Sequence, residues 1–269
     1  MCITNAAKSL ICEVNYNSAI TDDIFIINFS WNGHPPRAGQ FFMIKPQRSS
    51  VLLGRPISVN EYNGAQKTVK FLIVKAGKGT DELSQMKPGE KAELIGPLGN
   101  AWADFLPESV LYSGGKAALI SGSAGAAPLA ALVAEKPDCH FHFYAGFKNG
   151  FHEKRTENDV LGSAILAKKL IVTAEDGRNA LSGNITDLFF NPCEYDVIFS
   201  CGSISMLKAV KNKILSKGDT PCYVSMEGRM ACGVGACLGC TVRTAKGNRR
   251  LCSDGPIFNV RELFFDEDR

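Results

Sequence analysis

Residues 230–240 read Met-Ala-Cys-Gly-Val-Gly-Ala-Cys-Leu-Gly-Cys, and a fourth cysteine follows twelve residues later in Arg-Leu-Cys-Ser-Asp-Gly-Pro, residues 250–256. Thiolates bind soft metal ions, and spacers of four and then two residues are typical of the loop around a plant-type [2Fe–2S] cluster. The glycines between the cysteines favour the same interpretation, because such a loop needs positive-φ backbone and close N–H groups. The predicted cluster ligands are Cys232, Cys237, Cys240 and Cys252.

Two other interpretations of these cysteines stay open. A structural zinc site usually has two C-x2-C knuckles, and here only Cys237 and Cys240 form one. A disulfide pair suits a secreted chain, and the N-terminus has no basic region followed by an apolar run, so we expect no signal peptide. Ten cysteines in such a chain favour reduced thiols and a cytoplasmic protein. The six cysteines outside the motif are interpreted as small buried hydrophobic residues, except Cys201.

The composition is that of an ordinary globular protein. The chain has 269 residues, 45% of them hydrophobic and 21% charged, which is long enough for two domains and a small appendage. A net charge of +3 gives no reason to expect nucleic-acid binding or attraction to an anionic membrane. No apolar run approaches the roughly 20 residues of a membrane span.

Residues 1–100 are predicted to form an antiparallel β-barrel. Short stretches rich in β-branched and aromatic residues are separated by turn-forming Gly, Pro and Asn. Many short strands at close spacing favour a small barrel. The predicted strands are residues 24–29, 40–44, 68–74 and 91–95.

Two motifs in this part suit a flavin with a pyrophosphate. Residues 54–60 read Gly-Arg-Pro-Ile-Ser-Val-Asn, which places the cation of Arg55 and the hydroxyl of Ser58 along one extended edge. Residues 75–80 read Lys-Ala-Gly-Lys-Gly-Thr, a glycine-rich loop whose N–H groups suit phosphate oxygens. Each motif alone also fits an ordinary turn, but the ordered pair ahead of the cysteines is a stronger signal.

Residues 101–221 are predicted to form a doubly wound α/β nucleotide domain, and residues 222–269 a [2Fe–2S] module. Residues 101–116 are expected to be a linker with a mobile turn, after which apolar strands alternate with helices, as in a parallel sheet. The predicted strands are residues 117–122, 139–144, 169–173 and 195–200, and the predicted helices are residues 129–135, 159–169 and a segment ending at 215.

Ligands of such sheets bind at the carboxyl ends of the strands, where two glycine-containing turns fall. Residues 122–128 read Gly-Ser-Ala-Gly-Ala-Ala-Pro, and Cys201 and Gly202 end a later strand. The first turn is not a G-x-G-x-x-G fingerprint, but a tight turn before a helix N-terminus suits a phosphate. A strand-to-helix turn without a ligand remains the alternative.

Taken together, these motifs resemble the ferredoxin–NADP reductase-like superfamily and, within it, the electron-transfer subunits of class 1B dihydroorotate dehydrogenase. The resemblance extends in order along nearly the whole chain and is most specific in the cysteine loop. It also includes Gly-Pro-Leu-Gly-Asn at 96–100, Cys-Gly-Ser-Ile-Ser-Met at 201–206 and Cys-Ser-Asp-Gly-Pro-Ile-Phe at 252–258.

The resemblance implies an oxidoreductase subunit that passes electrons between NAD(H), FAD and a [2Fe–2S] cluster. The implied partner is an FMN-containing catalytic dihydroorotate dehydrogenase subunit in a hetero-oligomer, where dihydroorotate becomes orotate in pyrimidine biosynthesis. The cofactor-binding residues that it implies are Arg55, Pro56, Ile57, Ser58, Ile73, Val74, Lys75, Gly79, Thr80, Gly122, Gly125, Cys201 and Gly202.

The chain departs from the family's pattern at a few positions. Val74 and Lys75 stand where Tyr-Arg is common, and Ser123 stands where the family has glycine. In the nucleotide-side loop at residues 174–177, Glu175 or Asp176 is a candidate for the acidic residue that favours NAD over NADP.

Two alternatives compete with this function. The same scaffold serves subunits of NADH-dependent ferredoxin:NADP reductases and of sulfhydrogenases, which deliver electrons to other partners. A non-enzymatic redox sensor is the other alternative, and only the altered turn at residues 122–128 favours it.

Overall fold

The structure, a computed structural model, describes residues 7–47, 49–151, 153–187 and 191–265. The strands are β1 (Lys8–Ala19), β2 (Ile24–Ser30), β3 (Phe41–Pro46), β4 (Arg55–Ser58), β5 (Glu61–Asn63), β6 (Thr68–Val74), β7 (Lys91–Leu98), β8 (Lys116–Gly122), β9 (His140–Phe147), β10 (Lys169–Ala174), β11 (Leu181–Ser182), β12 (Val197–Cys201), β13 (Cys222–Ser225), β14 (Thr241–Thr244), β15 (Gly247–Arg250) and β16 (Ile257–Asn259). The α-helices are α1 (Lys78–Ser84), α2 (Glu108–Tyr112), α3 (Ala126–Glu135), α4 (Lys154–Leu161) and α5 (Ile204–Lys217). Short 3-10 helices are Trp102–Phe105, Ser123–Gly125, Gly162–Leu166, Pro192–Glu194 and Val260–Glu262.

The N-terminal part is an antiparallel sheet in the order β4-β3-β7-β1-β2-β6-β5, which confirms the antiparallel architecture predicted for it. Its interior contains a cluster of buried aromatic side chains. Phe42 lies edge-to-face with Trp31 at 4.7 Å between ring centroids and with Phe71 at 5.6 Å. Each fully buried side chain of this size contributes about 1.5–3 kcal/mol to folding.

The second sheet has the order β11-β10-β9-β8-β12-β13-β16. All of its neighbouring strands run parallel except β13 and β16, which are antiparallel. Alternate residues of β8 pack on opposite faces, since Leu119 belongs to the core that includes α3, and Ile120 to the core that includes α5. Helices cover both faces, so the doubly wound fold is confirmed.

The connection between the two sheets differs from the expected linker. Residues 101–116 contain a 3-10 helix and α2 instead of a mobile turn. Trp102 is fully buried and its ring lies 5.2 Å from that of Phe199. The Asp104 carboxylate accepts a hydrogen bond from the N–H of Ala101 at 3.1 Å and caps the turn. The burial of Trp102, Leu106 and Val110 thus makes this connector part of the packed structure.

The helix boundaries also differ from the predictions at two places. The helix predicted for residues 129–135 begins three residues earlier, at Ala126, which places Pro128 in the first turn, where its missing N–H is tolerated. The helix predicted at residues 159–169 is instead α4, which ends at Leu161. Gly162 follows with a φ of 52° and starts a 3-10 helix.

The cysteine loop lies between β13 and β16, two neighbouring strands of the second sheet, and contains the β14–β15 hairpin. Asn100 follows β7, the last strand of the first sheet in chain order, and fixes the cysteine loop to that sheet. Its amide donates to the carbonyl of Ile257 at 2.9 Å and accepts from the N–H of Ile257 at 3.0 Å. A Cβ on Gly233 would lie 2.6 Å from Met43, so the loop also packs closely on β3.

The nine cysteines within the described residues are all unpaired, and Cys2 lies outside those residues. Cys12, Cys139, Cys201 and Cys222 are buried, as small hydrophobic residues are. Cys193 is exposed, so burial was the wrong expectation for it. No helix in the described part of the chain is long and apolar enough to cross a membrane.

Candidate functional site

A cavity of about 650 Å³ lies between the first sheet, the carboxyl edge of the second sheet and the segment that leads into the cysteines. Residues from all three predicted regions meet there. The predicted cofactor residues that line it are Arg55, Pro56, Ile57, Ser58, Ile73, Val74, Thr80, Gly122, Gly125, Cys201 and Gly202.

Two of the predicted residues do not line the cavity, and the structure gives each another role. Gly79 lies beneath the side chain of Arg55, because a Cβ added there would come within 2.1 Å of Arg55 Nε. Glycine at 79 therefore leaves room for the guanidinium, which also donates to the carbonyl of Leu53 at 3.1 Å. The Lys75 ammonium donates to the carbonyl of Asp22 at 2.8 Å and so points away from the cavity.

The Thr80 hydroxyl shapes the glycine-rich loop. It accepts hydrogen bonds from the N–H groups of Ala76 at 2.8 Å and Gly77 at 3.2 Å, and it donates to the Gly77 carbonyl at 2.8 Å. This contact folds the loop at the start of α1. A contact from Thr80 to phosphate stays a prediction.

The glycine turn after β8 approaches the end of β12 through backbone atoms. A Cβ on Gly125 would lie 2.2 Å from the carbonyl oxygen of Cys201, so no side chain fits there. A Cβ on Gly202 would lie 3.0 Å from the nitrogen of Gly122. Ser123 has a φ of 51°, a conformation that glycine adopts more readily. The turn thus accommodates a serine at a positive-φ position.

Cys201 forms part of the cavity wall where β12 ends. Its side chain is 2% exposed, and burial raises its pKa well above the ordinary range, although a hydrogen bond from Ser225 acts in the opposite direction. Cys201 is therefore a neutral thiol at physiological pH. Such a group contributes shape and packing to the wall rather than a thiolate nucleophile.

The segment between β13 and the first cluster cysteine was missed by the sequence reasoning. It lines the cavity and leads directly to Cys232, so the cavity and the cysteine loop are neighbours. Burial raises the pKa of Glu227 in this segment. The only signal in the sequence is its position directly before Met-Ala-Cys. The missed residues are Ser225, at the end of β13, and Met226, Glu227, Gly228 and Arg229 after it.

The carboxylate of Asp176, a candidate for ribose recognition, is engaged by backbone N–H groups in the structure. Its carboxylate accepts from the N–H groups of Gly150 at 2.8 Å and Arg178 at 3.0 Å, and these two bonds lower its pKa despite some burial. Neither Asp176 nor Glu175 lines the 650 Å³ cavity. A ribose contact by either residue stays a prediction.

Backbone N–H groups surround the cysteine sulfurs. Gly235 donates to Cys252 Sγ at 3.1 Å, Cys237 to Cys232 Sγ at 3.4 Å, and the Cys240 and Cys252 sulfurs lie 3.3 Å apart. Gly235, with a φ of 79°, supplies its N–H from a positive-φ position, as a cluster loop requires.

The thiols of this loop have unequal acidities. Burial acts to raise the pKa of Cys232, but hydrogen bonds from N–H groups, Cys237 first among them, outweigh it and lower that pKa to about 6. Burial and the neighbouring Cys240 raise the pKa of Cys252 to about 12. A metal ion replaces the proton of such a thiol, so a buried cysteine pair of this kind suits a metal centre.

The donor set fits a [2Fe–2S] cluster. Among the residues that the structure describes, no group of three or more His, Cys, Asp or Glu side chains is already gathered as a metal site, so the fit rests on the chemistry of the four cysteines. A [2Fe–2S] cluster takes four thiolates, two on each iron, and the adjacent Cys240 and Cys252 sulfurs form one such pair.

Known proteins resemble this chain in the same regions. The sequence model of the iron–sulfur cluster binding domain of dihydroorotate dehydrogenase B matches residues 227–264. The dihydroorotate dehydrogenase B (NAD(+)) electron transfer subunit of Clostridium acetobutylicum is 36% identical over 97% of this chain and 99% of its own length. The subunit of the same name from Clostridium perfringens is 37% identical over 85% of this chain and 87% of its own length.

Solved structures share the fold at lower identity. A chain in the structure of an NADH-dependent reduced ferredoxin-NADP oxidoreductase superposes with a TM-score of 0.78 at 23% identity, covering 96% of this chain and 91% of that one. A ferredoxin NADP+ reductase from Neisseria gonorrhoeae with bound FAD and NADP superposes with a TM-score of 0.59 at 18% identity, covering 83% and 95%. These two similarities bear on the fold alone.

Proposed function

The chain belongs to the family of dihydroorotate dehydrogenase B (NAD(+)) electron transfer subunits, and from that membership we propose its function. It is an oxidoreductase subunit that carries electrons between NAD(H), FAD and a [2Fe–2S] cluster. It serves an FMN-containing catalytic subunit that converts dihydroorotate to orotate in pyrimidine biosynthesis, and the two form a hetero-oligomer.

One observation carries the proposal. A single cavity joins the flavin motif on β4, the two glycine turns of the α/β sheet and the segment that runs into Cys232. An electron path from a nicotinamide to an iron–sulfur centre needs such a place, where a flavin meets both. Bound there, FAD exchanges hydride with NAD(H) and single electrons with the cluster, and this is the redox chemistry of the subunit.

The chain's own residues bind and orient these groups. We assign Arg55 to the FAD pyrophosphate, as a forked cation, and Ser58 to the edge of the isoalloxazine. We assign the glycine turn at Gly122 and Gly125, which lines the cavity, to the nucleotide. The buried Cys201 and the half-buried Gly202 at the end of β12 form the wall beside it.

The alternatives have weaker support. A component of an NADH-dependent ferredoxin-NADP oxidoreductase shares the fold, but at 23% identity, against 36% for the subunit from C. acetobutylicum over nearly the whole chain. A sensor without nucleotide exchange was favoured only by the altered turn. Ser123 adopts a φ of 51°, so the serine does not prevent this positive-φ turn from forming.

A location in the cytoplasm is part of the same proposal. The unpaired state of the nine cysteines in the described residues supports a reducing compartment.

The first prediction tests the cofactors and the partner together. The purified full-length chain should contain one FAD and about two irons and two acid-labile sulfides, the content of one [2Fe–2S] cluster. NADH should bleach its flavin absorbance. Pull-down from the native host should recover an FMN-containing dihydroorotate dehydrogenase, and zinc without sulfide, or a different redox partner, would contradict the proposal.

The second prediction concerns the wall residue Cys201. Cys201→Ala removes a buried sulfur next to Gly125, so the nicotinamide is held less well and reduction of the flavin by NADH should slow up to about tenfold. Stopped-flow absorbance measures this rate. Cys222→Ala, at an equally buried cysteine outside the cavity, is the control. An unchanged rate in Cys201→Ala would leave that thiol with a packing role only.

A further inference from the structure

The hydroxyl of Ser253 is buried beside the cysteine cluster and has no hydrogen-bond partner within the described residues. Ser253 directly follows Cys252. Its Oγ lies 3.0 Å from the position that a Cβ on Gly235 would occupy, so the hydroxyl packs against the loop between Cys232 and Cys237. A buried polar group without a partner costs about 1–3 kcal/mol, so its presence calls for an acceptor.

Both backbone groups of Gly235, the residue that this hydroxyl approaches, are already engaged. The N–H of Gly235 donates to Cys252 Sγ at 3.1 Å, and the carbonyl of Gly235 accepts from Arg250 Nη1 at 3.2 Å. Arg250 is itself paired with Asp254 at 3.3 Å. The sulfurs of a bound cluster would supply a further acceptor beside this hydroxyl.

Ser253 differs by its location from the other buried polar atoms that have no partner in the described residues. Those atoms are Trp102 Nε1, Thr173 Oγ1 and Ser200 Oγ. They belong to the α/β part and its connector, whereas Ser253 is the one in the cysteine loop. Its missing partner is therefore tied to what that loop holds.

We propose that the Ser253 hydroxyl donates a hydrogen bond to a sulfur of the [2Fe–2S] cluster and thereby raises the cluster's reduction potential. The inference rests on the proposed function for the presence of the cluster. Reduction adds one negative charge to the iron–sulfur unit, so a donor to its sulfur stabilises the reduced form more than the oxidised one. In this role Ser253 adjusts the reduction potential of the cluster without binding iron, and the four cysteines remain the ligands.

The third prediction tests this hydrogen bond by titrating the cluster in the full-length chain with its cofactors bound. At the potential where half of the parent's clusters are reduced, Ser253→Ala should show a reduced-to-oxidised ratio about three- to tenfold lower, as expected for the loss of one hydrogen bond. The electron paramagnetic resonance signal of the reduced cluster measures this ratio without reference to activity. Thr244→Val is the control, because its hydroxyl lies in the same module but already donates to the Gly247 carbonyl at 2.7 Å.

Threonine and valine have the same shape and differ only in the hydroxyl, so this pair of variants distinguishes the effect of the hydroxyl from the effect of packing. The pair also replaces Ser253→Ala if that variant does not assemble the cluster. Ser253→Thr keeps the hydroxyl and should titrate close to the parent, whereas Ser253→Val, of the same shape, should titrate as the alanine variant does. Equal potentials for Thr and Val, or for Ala and the parent, would overturn the inference while leaving the cluster in place. A parent chain with neither iron nor sulfide would instead overturn the proposed function, and this inference with it.

Discussion

Replacement of Cys252 by alanine is expected to abolish the iron–sulfur content of the chain. Cys252 is 2% exposed, its sulfur lies 3.3 Å from that of Cys240, and it accepts the N–H of Gly235. A [2Fe–2S] cluster requires four ligands, and alanine leaves one iron with a single protein thiolate in a closed site. Iron and sulfide should fall from about two each per chain to near zero.

The control for this variant is Cys193→Ala, since Cys193 is exposed, lies outside the cysteine loop and donates to the helix-end carbonyl of Lys217. Both variants should keep FAD, because the flavin motif lies on β4 in the other sheet. Iron, sulfide and FAD are measured on the same preparations. A Cys252→Ala protein with full iron and sulfide would contradict the ligand assignment, and loss of FAD as well would point to misfolding.

The sequence predicted best the elements whose signal is local. Strands β2 and β6 of the first sheet are short, mostly apolar runs, and both begin where they were expected, whereas β1, with 12 residues that alternate in burial, was not predicted. The cysteine spacing and its glycines also form a local pattern. Such patterns can be recognised without knowledge of the fold, because each depends only on residues that are neighbours in the sequence.

Elements fixed by distant contacts were not predictable in this way. Strands β13 and β16 lie on either side of the cysteine loop and pair with each other within the second sheet. Residues 101–116 were expected to be a linker with a mobile turn, yet Trp102 inserts into the core at 0% exposure. Neither the pairing nor the insertion leaves a periodic pattern in the sequence.

The same limit applies to the site. Motif matching identified the cavity-lining residues on β4 and at the glycine turns, but not the segment from Ser225 to Arg229, which reaches the cavity because of tertiary packing. A phosphate contact by Gly79 stays a prediction, and the structure adds that this glycine makes room for Arg55. A motif identifies candidate residues, and the packing shows what surrounds each of them.

Arg55→Ala is expected to weaken FAD binding by about 1.5–3 kcal/mol, roughly ten- to a hundredfold in the dissociation constant. The guanidinium lies in the cavity wall, oriented by the carbonyls of Leu53 and Gly54 at 3.1 and 3.3 Å and supported by Gly79. An ordered cation facing a pyrophosphate makes charge-assisted hydrogen bonds that alanine removes. Flavin fluorescence on dilution gives the dissociation constant.

Two further variants identify the source of this effect. Arg55→Lys keeps the charge but not the forked donors, so it should recover only part of the affinity. Lys91→Ala removes the same charge from an exposed position on β7 of the same sheet and should bind FAD as the parent does. All three should keep the [2Fe–2S] cluster, because the four cysteines lie elsewhere. If Arg55→Ala and Lys91→Ala bind FAD equally well, Arg55 does not hold the pyrophosphate, and its contacts with the 53–54 backbone serve the turn alone.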